Sequence, residues 1–312
     1  MIDTHPLENL ITQYLEEKDI KKGSYDLYLI ILKQYLIYLK ENDITYAKES
    51  DVLDYINLKK LENYSTNWIF NQVNAIKGLY NYLSIHQKRL GLDDVYKYDI
   101  TVSIQNEKRG SVKPKPILTL DQAKHLLTFL KEHRKYLWHY RDYAIVYLML
   151  TTGIRSVEIR RARIKDLKVI GKNHILFIHG KGRSGADHFI KLSDGLVDAI
   201  KDYLEKRKDK NPYLFAPRGK GWVKPMDRTN FLYMFRRILK DAHLSDIKIT
   251  PHALRHTAAT FNLLRGGSLD ETKVLLRHQD MDTTLMYLSH LDGIKEGTED
   301  LIERYILGDI DD

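Results

Sequence analysis

The chain has 312 residues, enough for about two domains that each bury a core of their own. Its 50 lysines and arginines exceed its 42 acidic residues, and the resulting net charge of +8 suits a polyanionic partner. Because cysteine is absent, disulfides, thiolate chemistry and cysteine-based zinc sites are excluded. No apolar run approaches the ~20 residues of a membrane span, so we expect a cytoplasmic protein without a membrane partner.

The first 98 residues are predicted to form a domain of four amphipathic helices. Apolar residues recur at helical spacing between Pro6 and His86, and two of the helices are assigned to Ser50–Glu62 and Ser65–Ser84. The stripes of the first two helices are Leu7, Leu10, Ile11, Tyr14 and Leu15, and Tyr28, Leu32, Tyr35, Leu36 and Leu39. A helical bundle carries no functional signal by itself.

Residues 99–117 lose this periodicity and are interpreted as a basic linker. The basic side chains in this segment are Lys108, Arg109, Lys113 and Lys115. A solvated tether is one interpretation, and a segment that follows a phosphate backbone is the other. The excess of these four cations over Asp99 and Glu107 favours the second interpretation.

A second, mainly helical domain is predicted over residues 118–290. Its first helix spans Thr119–His133, with Thr119 or Asp121 as the N-cap. The apolar stretch YRDYAIVYLML, Tyr140–Leu150, must be a core helix. Thr152-Gly153 ends that helix, and a new helix begins within the sequence TGIRSVEI.

Two antiparallel strands are predicted next, over His174–His179 and Asp187–Leu192. The glycine-rich sequence GKGRSG joins them and places Lys181 near the tip of a hairpin. Helices over Leu196–Lys208 and Asp227–Ala242 follow, so the expected fold is mainly α with a small antiparallel sheet.

Residues 250–278 combine helix boundaries with side chains that bind phosphate. Thr250 and Pro251 predict an N-cap and a first helical residue, which puts His252 in the first turn and Arg255 one turn later on the same side. Gly266-Gly267 ends this helix. The capping-box pattern Ser268-x-x-Glu271 begins another helix, which ends near His278.

Tyr287 lies in a third predicted short helix, TTLMY, which Asp280 or Asp282 can cap. The chain has 21 tyrosines, and about one phenol in a thousand is ionised at neutral pH, so Tyr287 alone does not indicate a nucleophile. The significance of Tyr287 depends on the motifs that surround it.

The sequences HALRH, LLRH and TTLMY, in this order and downstream of TGIRSVEI, resemble the motifs of the tyrosine recombinase (phage-type integrase) family. The family patterns are T-G-x-R-x-x-E-[IL], H-x-x-R, L-G-H and TT-x-x-Y, and GKG resembles the family's hairpin lysine. The resemblance implies a catalytic set of Arg155, Lys181, His252, Arg255, His278 and Tyr287, with Glu158 orienting Arg155. Arg277 stands where the family usually has glycine.

The resemblance also implies a reaction that needs no metal, cofactor or ATP. Tyr287 attacks a DNA phosphodiester and forms a 3′-phosphotyrosyl link, while Arg155 and Arg255 hold the non-bridging oxygens. His278 adds a hydrogen bond, Lys181 protonates the leaving 5′ oxygen, and His252 assists proton transfer at the tyrosine.

Further expectations concern DNA and assembly. The family resemblance implies a C-shaped clamp on double-stranded DNA, formed by a core-binding domain (residues 1–98) and the catalytic domain (residues 118–290). A tail, residues 291–312, either packs on its own catalytic domain or contacts a neighbouring protomer. The resemblance implies the second arrangement, within a homotetramer on two DNA sites that is preceded by a monomer or dimer. Additional DNA contacts are expected from the four linker cations and from Arg183 and Arg277.

Other classes of function compete with this one. His252, His256 and His278 could bind zinc, but Ala253 stands where the glutamate of H-E-x-x-H would be. A catalytically silent DNA-binding relative and a type IB topoisomerase also stay open. Within the family the chain resembles minimal Xer-type recombinases and transposon-borne integrases, and the sequence leaves both roles open.

Overall fold

A computed structural model describes residues 5–106, 116–179, 186–218 and 223–277. The chain divides into two compact units, Met1–Lys113 and Pro114–Asp312. Within the described ranges, no helix combines the length and the apolar composition needed to cross a membrane.

Residues 5–106 contain the four predicted α-helices, which confirms the helical bundle. They are α1 (Leu7–Glu17), α2 (Lys22–Glu41), α3 (Glu49–Leu61) and α4 (Thr66–Leu90). The Ser65 side chain caps α4 by accepting a hydrogen bond from the Trp68 amide at 3.3 Å. Helix α4 continues six residues beyond the predicted Ser84, because its end is set by Gly91 in the left-handed conformation and not by the last apolar residue.

The predicted apolar stripes form the core of this bundle. Of the residues assigned to the first two stripes, all are buried except Leu10 and Tyr28, which are partly buried. Buried tyrosine hydroxyls find partners inside the core: the hydroxyls of Tyr35 and Tyr80 lie 3.1 Å apart, and the Tyr55 hydroxyl donates to Gln72 at 3.0 Å. The bundle thus satisfies the polar ends of its large aromatic residues.

The second unit is built around one buried helix. Its described helices are α5 (Leu120–Glu132), α6 (Leu137–Thr152), α7 (Ser156–Arg161), α8 (Asp194–Lys206), α9 (Arg228–Asp241), α10 (Pro251–Leu264) and α11 (Leu269–Leu276). Helix α6, the predicted core helix, packs against α5, α8 and α10. Local caps set several boundaries as predicted, since Thr119 accepts from the Gln122 amide at 3.2 Å and Ser268 accepts from the Glu271 amide at 3.0 Å.

In the described part of the second unit the sheet has three antiparallel strands, in the order β1-β2-β3. They are β1 (Leu167–Ile170), β2 (Asn173–His179) and β3 (Ala186–Lys191). The small antiparallel sheet and the strands β2 and β3 are confirmed, and β1 is a strand that the sequence analysis did not identify. Strand β1 could not be recognised from the sequence because it has only four residues, lies at the sheet edge and is largely exposed at Val169 and Ile170. It therefore lacks the alternation of apolar and polar residues that marks a half-buried strand.

Candidate active site

The residue that follows α6, Gly153, lies in close contact with α10 and α11, the helices that carry other residues of the site. Gly153 follows α6 in the left-handed conformation, with φ of +58°. A Cβ atom at this position would lie 2.7 Å from Cδ2 of Leu276 and 3.7 Å from Cβ of Ala258. Glycine therefore allows the α6–α7 turn to approach both α10 and α11.

Arg155 lies in this turn as the N-cap residue of α7, in an extended backbone conformation. The Glu158 carboxylate accepts the Arg155 backbone N–H at 2.9 Å through Oε2 and the guanidinium Nη1 at 2.9 Å through Oε1. The side chain of Arg155 is 36% exposed, whereas that of Glu158 is 4% exposed. Glu158 thus fixes a guanidinium that still reaches the surface.

Helix α10 begins at the predicted residue. Thr250 accepts a hydrogen bond from the Ala253 amide at 3.3 Å, and Pro251 occupies the first turn. His252 in this turn is exposed, and its ring packs edge-to-face on that of His256 with centroids 4.6 Å apart. Arg255, one turn later, is buried. The two residues therefore differ in exposure, although the sequence predicted one shared face, because the second turn of α10 lies beneath other elements.

The guanidinium of Arg255 joins two helix ends. Nη1 donates to the carbonyl of Gly153, after α6, and Nη2 donates to the carbonyl of Leu276, the last residue of α11. Carbonyl groups at helix C-termini lack partners within the helix and carry partial negative charge. Arg255 satisfies two of them and holds α11 against the α6–α7 turn.

Arg277 approaches the same place from the end of α11. It is the left-handed C-cap residue of that helix, with φ of +54°. Its guanidinium lies 3.3 Å from the Glu158 carboxylate and donates to the Leu275 carbonyl at 2.8 Å. Contact between Arg277 and DNA stays a prediction.

The electrostatic surroundings keep Glu158 ionised. Burial raises the pKa of Glu158. The positive charge of Arg277, followed by the hydrogen bonds and charge of Arg155, lowers the pKa by more than burial raises it. The net result is a pKa below the ordinary value for glutamate. Burial also lowers the pKa of the Arg277 guanidinium, and the Glu158 charge partly opposes that shift.

The structure therefore brings Arg155, Glu158, Arg255 and Arg277 together where α7, α10 and α11 meet, with His252 at the start of α10. Several predicted site residues lie outside the described residues: Lys108, Arg109, Lys113, Lys115, Lys181, Arg183, His278 and Tyr287. Their assigned roles stay predictions.

One pair of residues that the sequence analysis missed is a candidate for positioning Lys181. His179, the last residue of β2, lies two residues before Lys181, and its Nε2 is 3.0 Å from the Asp166 carboxylate. Asp166 also accepts the Arg163 backbone N–H at 2.8 Å. The Arg163-x-x-Asp166 spacing is a capping pattern that could have revealed half of this arrangement.

The described residues contain no group of three or more histidine, cysteine, aspartate or glutamate side chains that could hold a metal ion. Two of the three histidines in the zinc hypothesis, His252 and His256, are described, and they pack ring against ring. The third, His278, lies outside the described residues.

Comparison with known proteins places the chain in a family. The profile of the phage integrase family matches residues 116–293. Tyrosine recombinase XerA of Pyrococcus furiosus is 30% identical over 311 residues, which cover 97% of this chain and 96% of that protein. The TnP I resolvase of Bacillus thuringiensis is 26% identical, over 88% of this chain and 92% of that protein.

Solved structures share the fold at lower identity. The post-cleavage complex of the XerH site-specific recombinase with palindromic difH matches with a TM-score of 0.72 and 20% identity, over 92% of this chain and 80% of that one. The Tn1549 transposon integrase in complex with circular intermediate DNA matches with a TM-score of 0.62 and 18% identity, over 95% and 97% of the two chains. The chain belongs to the phage integrase family and is a site-specific tyrosine recombinase of the Xer and integrase type.

Proposed function

We propose that this recombinase cleaves and rejoins double-stranded DNA through a 3′-phosphotyrosyl intermediate, with Tyr287 as the nucleophile. The observation that carries the proposal is the partly exposed Arg155 guanidinium: the buried Glu158 carboxylate holds Arg155 at two points, the guanidinium and the backbone N–H. A phosphodiester needs such fixed positive charge, because negative charge on its non-bridging oxygens grows during the displacement.

Each bond change in this mechanism has a proposed residue. The Tyr287 oxygen forms a bond to the scissile phosphorus, and the bond from phosphorus to the 5′ oxygen breaks. Arg155 and Arg255 balance the charge of the non-bridging oxygens, Arg155 through its exposed guanidinium and the buried, carbonyl-bound Arg255 through its positive charge. His252 receives the phenolic proton, Lys181 gives a proton to the leaving 5′ oxygen, and His278 donates a hydrogen bond to the phosphate.

The covalent link conserves the energy of the broken phosphodiester. A 5′ hydroxyl from another strand can therefore attack the phosphotyrosine, release Tyr287 and restore a DNA backbone without ATP, a metal ion or a cofactor. This chemistry serves strand exchange, and the same residues act in reverse during religation.

DNA binding and assembly complete the proposal. XerH, the Tn1549 integrase and lambda integrase were all solved with DNA. By analogy, we assign DNA contact to the helical domain (residues 1–98), to the basic linker (residues 99–117) and to the catalytic domain (residues 118–290). The tail, residues 291–312, would join four protomers on two DNA sites after binding as monomers or dimers.

We further propose that the protein works in the cytoplasm, in Xer-type resolution or in the integration and excision of a mobile element. Sequencing the junctions that the protein forms in cells separates these roles. Junctions at one chromosomal site support resolution, and junctions at the ends of an element support transposition.

The central proposal is tested with a nicked suicide substrate, which traps the covalent intermediate because the short cleaved strand diffuses away. The wild-type protein should form a protein–DNA adduct in the presence of EDTA. The Tyr287→Phe variant should bind the same DNA and form no adduct. An adduct formed by that variant, or a strict requirement for a divalent metal ion, contradicts the proposal.

A further inference from the structure

Arg277 occupies a backbone position that favours glycine. As the C-cap residue of α11 it has φ of +54° and ψ of +46°, in the left-handed region. A residue with a Cβ atom in this conformation is disfavoured relative to glycine by about 1 kcal/mol. In return, the Arg277 side chain makes contacts that glycine could not make.

The Arg277 side chain is 8% exposed and connects the end of α11 to the turn that carries Arg155. Nη2 lies 3.3 Å from Oε2 of Glu158, a residue 119 positions earlier in the chain. Nη1 donates to the Leu275 carbonyl at 2.8 Å and lies 3.5 Å from the Thr152 carbonyl. These contacts aim the guanidinium at the residue that fixes Arg155.

Glu158 is shared between the two arginines. Its Oε1 accepts the Arg155 guanidinium, and its Oε2 accepts both the Arg155 backbone N–H and the Arg277 guanidinium. Among the influences that keep the pKa of this buried carboxyl low, the charge of Arg277 is the largest single one, and it is followed by two hydrogen bonds and the charge of Arg155. Arg277 is therefore a second charged partner of Glu158, in addition to Arg155.

The balance of charge shows what this sharing does. Arg155 and Glu158 alone form a neutral pair, in which the carboxylate cancels the attraction of Arg155 for an anion. With Arg277 present, the three side chains carry one positive charge in excess. In a buried, poorly screened setting this excess acts on whatever anion meets the exposed side of Arg155.

We propose that Arg277 is a positioning residue for the recombination reaction: it compensates the buried charge of Glu158, so that Glu158 orients Arg155 without cancelling its charge toward the scissile phosphate. The inference rests on the proposed role of Arg155. It assigns to this chain's arginine a task that the family motif, with glycine at this position, does not contain.

A purely structural role for Arg277 makes a different prediction. If the side chain only fastens α11 to the α6–α7 turn, its loss changes the unfolding temperature and leaves the chemistry of the folded protein unaltered. If it sets the charge of the site, its loss alters the cleavage rate and the pH dependence of that rate in protein that is still folded.

The experiment compares Arg277→Gly and Arg277→Lys in the full-length protein. Single-turnover cleavage of the suicide substrate is measured at saturating protein across pH, together with DNA affinity and thermal unfolding. Lys248→Gly is the matched control, because Lys248 is an exposed cation with φ of +49° and its replacement removes the same charge and relieves the same backbone conformation.

For Arg277→Gly we expect cleavage at saturation to slow by about tenfold to 100-fold with little change in DNA affinity. The pKa of Glu158 should rise without Arg277, so the acid limb of the rate profile should move to higher pH. Arg277→Lys retains the charge and should restore part of the rate and the wild-type acid limb. Lys248→Gly should leave both unchanged.

Two results overturn the inference alone: adduct formation by Arg277→Gly at the wild-type rate and with the wild-type pH profile, or an equal rate loss for Arg277→Gly in the wild-type and Glu158→Gln backgrounds. The second result would mean that Arg277 does not act through Glu158. Absence of any adduct from the wild-type protein overturns the proposed function and this inference with it.

Discussion

Gly153 and Leu276 lie so close that a single Cβ atom at Gly153 would come within 2.7 Å of the Leu276 side chain. Leu276 is fully buried, so its side chain has little room to move away. This contact brings the last residue of α11 to the turn that precedes Arg155. The arginines of the site are thereby held by packing as well as by charge.

Replacement of Gly153 by alanine is therefore expected to destabilise the protein by about 2–4 kcal/mol, from the left-handed backbone and the overlap with Leu276 together. Gly266→Ala is the matched control, because Gly266 has φ of +93° and an added Cβ atom there would have no described neighbour within 4 Å. Denaturant unfolding of both variants isolates the packing contribution. Equal losses for the two would show that Leu276 moves aside freely.

Arg255→Lys is expected to be a severe change despite the retained charge. The Arg255 guanidinium spans the carbonyls of Gly153 and Leu276, and a single ammonium group cannot reproduce this two-point geometry. Cleavage of the suicide substrate should fall much more than DNA affinity, and stability should fall by about 1–3 kcal/mol. Parallel losses of cleavage and affinity would identify Arg255 as a binding residue only.

The stabilising contribution of Glu158 is expected to depend on pH. Its pKa in the folded protein lies below the value for an unfolded chain, so its ionised form stabilises the fold above the ordinary pKa of 4.5. This contribution disappears as the pH falls through the lowered folded-state pKa. The difference in free energy of unfolding between the wild type and Glu158→Gln should thus be largest near neutral pH and shrink in acid. A difference that stays constant with pH would argue against an ionised, stabilising Glu158.

Helix boundaries were predictable because their causes are local in the sequence. The cap at Thr250, the capping box of Ser268 and Glu271, and the glycine that ends α6 each depend on residues within one turn. Strand β1 was missed because it is short and exposed, and its pairing with β2 is the only feature that marks it among the described residues.

The electrostatic arrangement of the site could not be predicted in the same way. The motif spacing indicated that Glu158 would meet Arg155, since three residues separate them on one helix. The ion pair between Glu158 and Arg277, by contrast, depends on the packing of α11 against a turn 119 residues earlier. The burial of Arg255 likewise follows from tertiary packing, which periodicity along α10 does not reveal.

Lys181, proposed as the general acid, can be tested through its leaving group. Lys181→Ala should slow cleavage of ordinary DNA but not of DNA with sulfur in place of the 5′ bridging oxygen, because a thiolate leaves without a proton. Arg183→Ala, a change to a cation of the same loop, is the control and should show no such selective rescue. If sulfur rescues both variants or neither, Lys181 is not the proton donor.

Loss of the contact between His179 and Asp166 should cause, in part, the same cleavage defect as Lys181→Ala. The contact fixes the end of β2, and the segment with Lys181 follows directly in the sequence. Asp166→Ala should slow cleavage of ordinary DNA more than cleavage of the sulfur-substituted DNA. His133→Ala is a control, since that exposed histidine contacts only Phe129 of its own helix in the described structure, through the backbone carbonyl and the ring. Equal slowing on both substrates by Asp166→Ala would show a general loss of structure instead.

The tail, residues 291–312, provides a test of assembly. Leu301, Ile302, Tyr305 and Ile306 lie at i, i+1, i+4 and i+5, the spacing of an apolar stripe along one side of a helix. Such a stripe is stable only when it is covered, either by its own catalytic domain or by a neighbouring protomer. The proposed tetramer implies the second arrangement, which would couple the position of Tyr287 to the presence of a neighbour.

Truncation after Gly297 should therefore leave binding of single protomers to DNA nearly intact, while tetrameric synapsis and recombination fail and cleavage loses its regulation. A variant with Leu301→Ser and Tyr305→Ser should behave in the same way without shortening the chain, and Glu303→Ala, outside the apolar stripe, should not. Sedimentation of the protein–DNA complexes measures synapsis, and thermal unfolding shows whether each variant is folded. If the truncated protein unfolds, the stripe packs on its own catalytic domain. If it forms normal tetrameric synapses, the tail has no part in assembly. Either result contradicts docking between protomers.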